Sequence, residues 1–296
     1  MAFGSYPLND GREIPAIAFG TGSIYKWTDV SRLVEQALEA GFWHLDTAQE
    51  YVGKVIHESG LSRSELYVTT KYSGIGDMRS AIESSLSSLG LKYVDLYLMH
   101  QPFPNFAVLW KEFEAIQKEG FAKSIGVSNF TLPHFLSLVQ NATVWPSVNQ
   151  IEFHPYTYAK YKETIEWTNK HGIVTEAYSS LSPITKFPGG PVDKPVSAAA
   201  ARLGITPTQV LLLWVRAKGV VIVTTTSNKD RLKEYLAVGD LPPLSDEEVA
   251  AIDAAGAKGP PRFNLGFLRS YGSRAFMLIL TLIFIWGIQM LVSRVY

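Results

Sequence analysis

Strand-like and helix-like segments alternate eight times along the chain, and this alternation predicts an α/β fold with a parallel sheet. Eight units favour closure into a (β/α)8 TIM barrel, and the 296 residues suit one such barrel, which typically needs about 250. An open Rossmann sheet is the alternative, but it requires a GxGxxG turn after an early strand. The segment 20–25, GTGSIY, does not match that turn, so we predict the closed barrel.

The individual elements follow from local patterns. Asp10 and Gly11 lie between two short apolar runs, which predicts an N-terminal β-hairpin and not a signal peptide. Apolar or β-branched runs predict strands near residues 16–19, 42–46, 65–70, 93–99, 123–127, 146–149, 173–177 and 220–223. Apolar residues at helical spacing predict helices at 29–40, 52–59, 77–89, 106–119, 131–140, 160–171, 196–203, 207–218, 228–238 and 245–255. Residues 179–195, rich in proline and glycine, are expected to form a long loop near the strand ends.

The composition excludes several classes of function. The 27 basic and 27 acidic residues cancel, so no overall field attracts nucleic acid. The absence of cysteine excludes disulfides, thiolate catalysis and cysteine-ligated metal. We expect a monomeric barrel with no metal and no nucleic-acid partner.

The C-terminal segment 275–292 reads AFMLILTLIFIWGIQMLV and contains no charged residue. As a helix it would be about 27 Å long, near the hydrocarbon thickness of a bilayer. We therefore predict a barrel over residues 1–272 followed by a transmembrane tail anchor; a buried terminal helix in a cytoplasmic protein is the alternative. The basic residues before the span outnumber Arg294 after it, which favours a barrel facing the cytosol. These residues are Lys258, Arg262, Arg269 and Arg274.

Four polar residues lie at or just after consecutive predicted strand ends. Asp46 ends the strand 42–46, and Tyr51 is expected on the loop after it. Lys71 and His100 close the next two strands. Because the strand ends of a barrel converge on one mouth, we expect the four side chains to be neighbours. Each alone would suit a solvated rim, but four complementary groups together predict an active site.

The motifs around these residues, and several others in the same order, are typical of one enzyme family. They are GTG (20–22), LDTAQEY (45–51), VTTKY (68–72), DLYLMHQP (95–102), GVSNF (126–130), NQIE (149–152) and EAYS (176–179). Over roughly residues 5–272 the sequence resembles the aldo-keto reductase family. The segments VTTTSNKDRL (223–232) and PRFNLGFLRSYG (261–272) are most similar to its fungal keto-amide and conjugated-polyketone reductases.

The resemblance implies an NADPH-dependent oxidoreductase that reduces aldehydes and ketones, including α-keto esters, α-keto amides and diketones, with NADH as an alternative cofactor. It implies that Tyr51 donates the proton and that His100 orients the carbonyl oxygen. Lys71 would lower the pKa of the Tyr51 phenol, and Asp46 would hold Lys71 in place. These four residues are the predicted catalytic set.

The resemblance also implies the binding residues. It places the cofactor on Gly20, Thr21, Ser128, Asn129, Gln150, Tyr178, Ser179, Ser180, Leu181, Thr225, Thr226, Arg231 and Glu234, and the substrate on Tyr25, His100 and Gln101. The nicotinamide carboxamide is expected to bind Ser128, Asn129 and Gln150, and the nicotinamide ring is expected to stack on Tyr178. The pyrophosphate is expected to bind the turn 179–181. The 2′-phosphate is expected to contact Thr225, Thr226 and Arg231, and the adenine is expected to contact Glu234.

The sequence departs from the family pattern in three places. About five residues are missing after Tyr51, where a turn normally fixes the catalytic tyrosine. Thr225 replaces a common lysine, which softens the preference for NADPH, and Gln101 replaces a tryptophan, which makes that side of the pocket more polar. The shortened loop keeps a second function open, that of a membrane-attached NADP(H)-binding regulatory protein with little turnover.

Overall fold

The computed structural model describes residues 3–22, 28–47 and 50–261, without the side chains of residues 50 and 51. The chain divides into a compact unit, Met1–Gly259, and a second unit, Pro260–Tyr296. Three features predicted from the sequence fall wholly or mostly outside the described residues. They are the anchor 275–292, the substrate contact Tyr25 and the motif 261–272.

The predicted N-terminal hairpin and the closed barrel are both confirmed. The antiparallel strands β1 (Ser5–Pro7) and β2 (Glu13–Pro15) form the hairpin. The parallel barrel strands are β3 (Ile17–Gly20), β4 (His44–Asp46), β5 (Tyr67–Tyr72), β6 (Val94–Met99), β7 (Ala122–Ser128), β8 (Val148–Glu152), β9 (Val174–Tyr178) and β10 (Val221–Thr224). They adjoin in chain order, and β10 pairs with β3 to close the ring. All eight carboxyl ends therefore face one mouth.

Helices connect the barrel strands. They are α1 (Ser31–Ala40), α2 (Glu50–Glu58), α3 (Met78–Leu89), α4 (Phe106–Lys118), α5 (Leu132–Leu138), α6 (Pro155–Lys170), α7 (Ser182–Thr185), α8 (Asp193–Leu203), α9 (Pro207–Ala217), α10 (Lys229–Ala237) and α11 (Asp246–Gly256), with a 3-10 turn at Arg63–Glu65. Gly41 ends α1 in the left-handed conformation, with φ of 107°, which its sequence position predicts. The Ser245 side chain caps α11 by accepting a hydrogen bond from the Glu248 N–H.

Helices α6 and α7 differ from the sequence prediction. Helix α6 begins at Pro155 and not near residue 160, because proline suits the first helical turn and the Thr157 hydroxyl accepts a hydrogen bond from the His154 N–H at 3.0 Å. The predicted loop 179–195 contains the short helix α7, which a proline in its first turn also favours. Proline therefore lies in the first turn of both helices, although the proline and glycine content of residues 179–195 indicated a loop.

Aromatic rings fill part of the layer between the strands and the helices. Trp110 stacks on Phe113 with ring centroids 5.4 Å apart, and Phe113 stacks on Tyr97 at 4.9 Å. Phe153 stacks on Trp214 at 5.1 Å. All five side chains are fully buried. Because each ring of this size removes about 150–250 Å² from water, these stacks hold the outer helices against the strands.

Within the described residues, no single helix is long and apolar enough to cross a membrane. Helices α8 and α9 meet the criteria of length and composition only as a pair, with a bend of 99° between them. The predicted anchor 275–292 lies outside the described residues and stays a prediction.

Helix α2 begins at Glu50, so the backbone of Tyr51 is helical. The expectation that Tyr51 lies on a loop is wrong, and the shortened chain is the reason. Val52 follows at once and is fully buried. A Cβ atom at Gly53 would overlap the carbonyl oxygen of Ser88 in α3. Helix α2 therefore packs closely on the backbone of α3 at Gly53.

Gly53→Ala should destabilise the fold, because the added methyl group meets backbone atoms of α3 that cannot move aside. We expect a loss of about 1–3 kcal/mol in the free energy of unfolding, the usual cost of overpacking, measured by urea denaturation. Gly22→Ala is the matched control, since its Cβ would meet nothing within 4 Å. Equal denaturation midpoints for the two variants would contradict the close packing of α2 on α3.

Candidate active site

Three of the four predicted catalytic residues lie at the mouth ends of adjacent strands. Asp46 ends β4, Lys71 lies near the end of β5, and His100 follows β6 directly. The Lys71 ammonium donates a hydrogen bond to Asp46 Oδ1, and the two side chains are only 14% and 7% exposed. The structure thus brings Asp46 and Lys71 into contact and places His100 beside the neighbouring strand end. The side chain of Tyr51 lies outside the described residues, so its role stays a prediction.

Gln150 links Asp46 to the opposite side of the barrel. Its Nε2 donates hydrogen bonds to Asp46 Oδ2 at 2.7 Å and to Glu176 Oε2 at 2.9 Å. The strands that carry Asp46 and Gln150, β4 and β8, are separated by three strands in either direction around the ring. The bond between them therefore crosses the barrel interior. Because Lys71 and Gln150 bind different oxygens, the Asp46 carboxylate is held at both.

Glu176 and His44 are buried titratable residues that the sequence-based set of site residues does not contain. Both side chains are fully buried. His44 Nε2 lies 3.8 Å from Glu176 Oε1 and 2.9 Å from Thr69 Oγ1. Burial lowers the pKa of His44 to about 4, whereas burial, reinforced by the Asp46 charge, raises the pKa of Glu176 to about 8. Both side chains are therefore uncharged at neutral pH, and their contact is not an ion pair.

A signal for both residues exists in the sequence. Residues two apart in a strand share a face, so His44 shares the face of Asp46, and Glu176 shares the face of Tyr178. Glutamate is almost never fully buried unless it is paired, so its presence in the middle of a barrel strand marks a polar interior. The motif EAYS (176–179) contains Glu176, but the resemblance assigns roles only to the tyrosine and the serine.

The segment after β7 joins several of the predicted cofactor residues in one hydrogen-bonded group. Asn129 has a φ of 63°, in the left-handed region that side chains rarely adopt. Its Nδ2 donates to the His100 carbonyl at 3.1 Å, and its Oδ1 accepts from the Tyr178 hydroxyl at 2.9 Å. Ser128 Oγ donates to the Gln150 carbonyl at 2.7 Å. The residues predicted to hold the carboxamide and the nicotinamide ring are therefore neighbours.

Asn149 is a further residue to which the sequence assigned no role. Its side chain is buried, and its Oδ1 accepts from the Phe130 N–H at 3.3 Å while its Nδ2 donates to the Phe130 carbonyl at 3.0 Å. Because Phe130 follows the strained Asn129, this pair of bonds holds the turn that presents the cofactor residues.

The turn after β9 has a similar strain. Ser179 has a φ of 60°, and Ser180 is buried with its Oγ donating to the Ala177 carbonyl at 3.4 Å. Leu181 packs against the core and precedes α7. Among the described residues, three that are not glycine have a left-handed φ, and two of these, Asn129 and Ser179, lie in predicted cofactor segments. Strain of this kind often accompanies binding sites.

The segment after β10 carries the residues predicted for the 2′-phosphate. Thr225 Oγ1 is buried and has no hydrogen-bond partner among the described residues. Thr226 Oγ1 accepts from the Asn228 N–H at 3.1 Å, and Asn228 caps α10. The exposed Arg231 lies in the first turn of α10, where its side chain interacts with the buried Tyr235 phenol. An unpaired hydroxyl beside a helix N-terminus and a guanidinium suits a phosphate group.

The remaining predicted contacts lie at the edges of the site. Gly20 ends β3 opposite Asp46, and the Thr21 N–H donates to the Asp46 carbonyl at 2.9 Å. The Glu234 carboxylate accepts a hydrogen bond from the Thr206 hydroxyl, which also caps α9. The structure therefore ties Glu234, the predicted adenine contact, to the cap of a neighbouring helix.

The rim of the mouth is built from the segments after β5 and β6. Gln101 follows His100 and is exposed, and a more polar pocket on that side stays a prediction. The Phe103 ring lies edge-on to the Tyr72 ring at 5.9 Å and covers Gly74, where a Cβ would meet the ring. Phe103 therefore packs the two rim segments against each other.

The donor groups fit the implied nicotinamide dinucleotide along the ends of β7 to β10. Amide and hydroxyl groups follow β7 and β8, and an aromatic ring with a strained turn follows β9. A guanidinium and an unpaired buried hydroxyl follow β10. At the other side of the mouth, the Lys71 ammonium is held by Asp46. A positive charge in this place lowers the pKa of a neighbouring proton donor.

Comparison with known proteins relates the chain to one family. A family model described as "Aldo/keto reductase family" matches residues 16–186. The chain is 37% identical over 245 residues to an NAD/NADP-dependent indole-3-acetaldehyde reductase of Schizosaccharomyces pombe. This match covers 76% of this chain and 86% of the other protein. It is 34% identical to a methylglyoxal reductase of Escherichia coli over 88% of this chain and 97% of that protein.

A solved structure gives the same relationship. The crystal structure of a Bombyx mori aldo-keto reductase in complex with NADP is similar with a TM-score of 0.77 and 31% identity. The match covers 85% of this chain and 92% of the other. The fold of this chain is therefore similar to that of a reductase solved with NADP over most of both chains.

Glu176→Gln should flatten the pH dependence of stability. The folded protein keeps a proton on Glu176 up to a pH of about 8, whereas the unfolded chain releases it near 4.5, so the free energy of unfolding falls as the pH rises between these values. His44 titrates between about 4 when folded and 6.5 when unfolded, so the interval from 6.5 to 8 is free of its contribution. Over that interval the wild type should lose roughly 2 kcal/mol relative to the variant.

Urea denaturation at intervals of half a pH unit measures this difference. Parallel stability profiles for the wild type and Glu176→Gln would contradict a protonated Glu176 in the barrel interior.

Proposed function

Because this chain belongs to the aldo/keto reductase family, we propose that it is an NADPH-dependent oxidoreductase that reduces aldehydes and ketones to alcohols. One observation carries the proposal: the ammonium of Lys71 is bound to Asp46 in a largely buried contact, next to the strand end that carries His100. Gln150 holds Asp46 from the opposite side of the barrel. This arrangement keeps a cation fixed at the mouth.

The reaction places a hydride on the carbonyl carbon and a proton on the carbonyl oxygen. NADPH, when bound, supplies the hydride. Tyr51 donates the proton; a phenol titrates near 10, and the Lys71 cation favours the phenolate and so makes Tyr51 a better acid. His100 donates a hydrogen bond to the carbonyl oxygen, which orients the substrate and stabilises the charge that develops there.

The cofactor residues act at three places. Ser128, Asn129 and Gln150 hold the carboxamide, and Tyr178 stacks on the nicotinamide ring. Arg231 binds the 2′-phosphate, for which its planar, always charged guanidinium is well suited. Thr225 offers its unpaired hydroxyl at the same place but adds no charge. We therefore infer a preference for NADPH over NADH that is weaker than with a lysine at position 225.

The substrates that we propose are small reactive carbonyl compounds, namely aldehydes, α-keto esters, α-keto amides and diketones. Two relatives are named for the reduction of an aldehyde and of methylglyoxal, an α-dicarbonyl compound. The motif 223–232 supports the placement among the fungal keto-amide and conjugated-polyketone reductases. The exposed Gln101 supports a polar carbonyl substrate on that side of the mouth.

A second candidate function is that of an NADP(H)-binding regulatory protein with little turnover. The observation in its favour is the start of α2 at Glu50, which leaves no turn after Tyr51. Misplacing a catalytic group by about 1 Å can cost roughly 100-fold in rate, so this shortening bears directly on turnover. Cofactor binding without turnover would distinguish this function from the enzyme.

We also propose that residues 275–292 anchor the protein in a membrane with the barrel in the cytosol. The segment contains no charged residue over a length near that of a bilayer, and basic residues precede it.

The full chain, purified in a mild detergent, should oxidise NADPH when diacetyl or isatin is added, with loss of the NADPH absorbance. Tyr51→Phe should lower kcat by at least 100-fold and leave NADPH affinity unchanged, because the phenol acts only on the substrate oxygen. Wild-type NADPH binding without turnover would favour the regulatory function. An active Tyr51→Phe variant would refute Tyr51 as the proton donor.

The anchor is tested with the full chain by washing membranes in alkaline carbonate. The wild type should stay with the membranes. The control Leu282→Arg, Ile283→Arg should be released, because each arginine at the centre of a span costs about 2.5–3.5 kcal/mol. Equal release of the two proteins would rule out the anchor.

A further inference from the structure

We propose that Glu176 is a positioning residue: it fixes the plane of the Gln150 amide and thereby aligns the carboxamide of the nicotinamide cofactor. This inference rests on the proposed function, because it concerns the same cofactor. It assigns a role to a fully buried side chain that the proton transfer does not use.

The geometry of Gln150 supports two separate constraints. Nε2 carries two hydrogens, and both find carboxyl oxygens, Asp46 Oδ2 at 2.7 Å and Glu176 Oε2 at 2.9 Å. The bond to Asp46 alone determines which end of the amide faces the interior, but it leaves the amide free to rotate about that bond. The second bond, to Glu176, removes this rotation. The amide oxygen, Oε1, then points in one direction only.

The oxygen of Gln150 is the group left for a ligand. Oε1 makes no hydrogen bond within the described part of the chain, and Nε2 is fully used. An amide oxygen can accept but not donate, so its natural partner is an N–H group. The carboxamide of a nicotinamide carries such an N–H. With the amide plane fixed, the Gln150 oxygen can hold that group and the attached ring in one orientation.

The backbone makes Glu176 well placed for this task. Glu176 and Gln150 are directly paired in the register of β8 and β9, so their side chains leave the sheet side by side. The neighbour on the other side, Val221 of β10, is apolar. Glu176 and Gln150 therefore both lie on barrel strands, and the hydrogen bond between them does not depend on the position of a loop.

Charge explains why a second carboxyl group is tolerated beside Asp46. The titratable groups that face Glu176 are His44 and Asp46 from β4 and Tyr67 and Lys71 from β5. Glu176 is protonated at neutral pH, so it accepts from Gln150 without adding a negative charge next to Asp46. Above a pH of about 8 it ionises, and its bond to Gln150 becomes charge-assisted and stronger.

The test compares two cofactors that differ only at the carboxamide. NADP+ carries the N–H, whereas its 3-acetylpyridine analogue has a methyl group in that place. The ratio of their dissociation constants, measured by calorimetry on the full chain, reports the bond to the Gln150 oxygen. A general loosening of the site cancels in this ratio. In the wild type we expect NADP+ to bind about 3- to 10-fold more tightly than the analogue, the effect of one neutral hydrogen bond.

Glu176→Met fills the same space without an acceptor, and its ratio should fall toward 1. Glu176→Gln keeps an acceptor oxygen and should keep the wild-type ratio at pH 7. Raising the pH from 7 to 9 should increase the ratio in the wild type and leave it constant in Glu176→Gln. Glu176→Leu replaces the methionine variant if that variant does not fold.

The results separate this inference from the proposed function. A wild type that binds neither cofactor would overturn both. A wild type that binds both cofactors equally, or a Glu176→Met variant that keeps the wild-type ratio, would overturn the role of Glu176 and leave the proposed function standing.

Discussion

The hydrogen bond from Gln150 to Asp46 spans the interior of the barrel, and the candidate site depends on it. Asp46 is largely buried, and a buried carboxylate is stable only if its oxygens are satisfied. Lys71 satisfies one oxygen, and Gln150 satisfies the other from the opposite wall. The position of the Lys71 ammonium is therefore set by two sides of the ring and not by one loop.

The barrel interior holds several polar side chains but few charges. His44 and Glu176 are uncharged at neutral pH, so the interior avoids the cost of further buried ions. Gln150 supplies both of its amide hydrogens to this group. The strained Asn129 extends the same group outward by bonding His100 and Tyr178. Three predicted cofactor contacts, Ser128, Asn129 and Tyr178, are thus linked through Gln150 to the contact of Asp46 with Lys71.

The fold was predictable from the sequence because its evidence is local and repeated. Alternating strand and helix patterns need no knowledge of distant contacts, and a barrel brings every strand end to one mouth. Asp46, Lys71 and His100 could be grouped for that reason. The roles of His44 and Glu176 could not, since they depend on contacts across the ring that periodicity does not contain. The ordinary pKa of a glutamate would also have indicated a charged Glu176, whereas burial keeps this carboxyl protonated at neutral pH.

The start of α2 at Glu50 was missed for a related reason. The sequence shows that residues are absent after Tyr51, but the close contact of Gly53 with α3 is a tertiary contact that local patterns do not reveal. Proline was also misleading at α7, where it occupies the first helical turn of a segment predicted to be a loop. By residue preference alone, a proline is compatible with the end of a helix or with its first turn. Only the capping residues next to it distinguish the two positions.

Phe103 ties the segments after β5 and β6 together through Tyr72 and Gly74. Neither segment supplies a bond to the Asp46 carboxylate, which is held by Lys71 and Gln150. An engineer who wishes to change the substrate range should therefore transplant the two segments as one cassette. Exchanging one alone would leave the aromatic ring without its partner surface, whereas exchanging both, from Gln101 onward in the second segment, leaves the contacts of Asp46 with Lys71 and Gln150 unchanged.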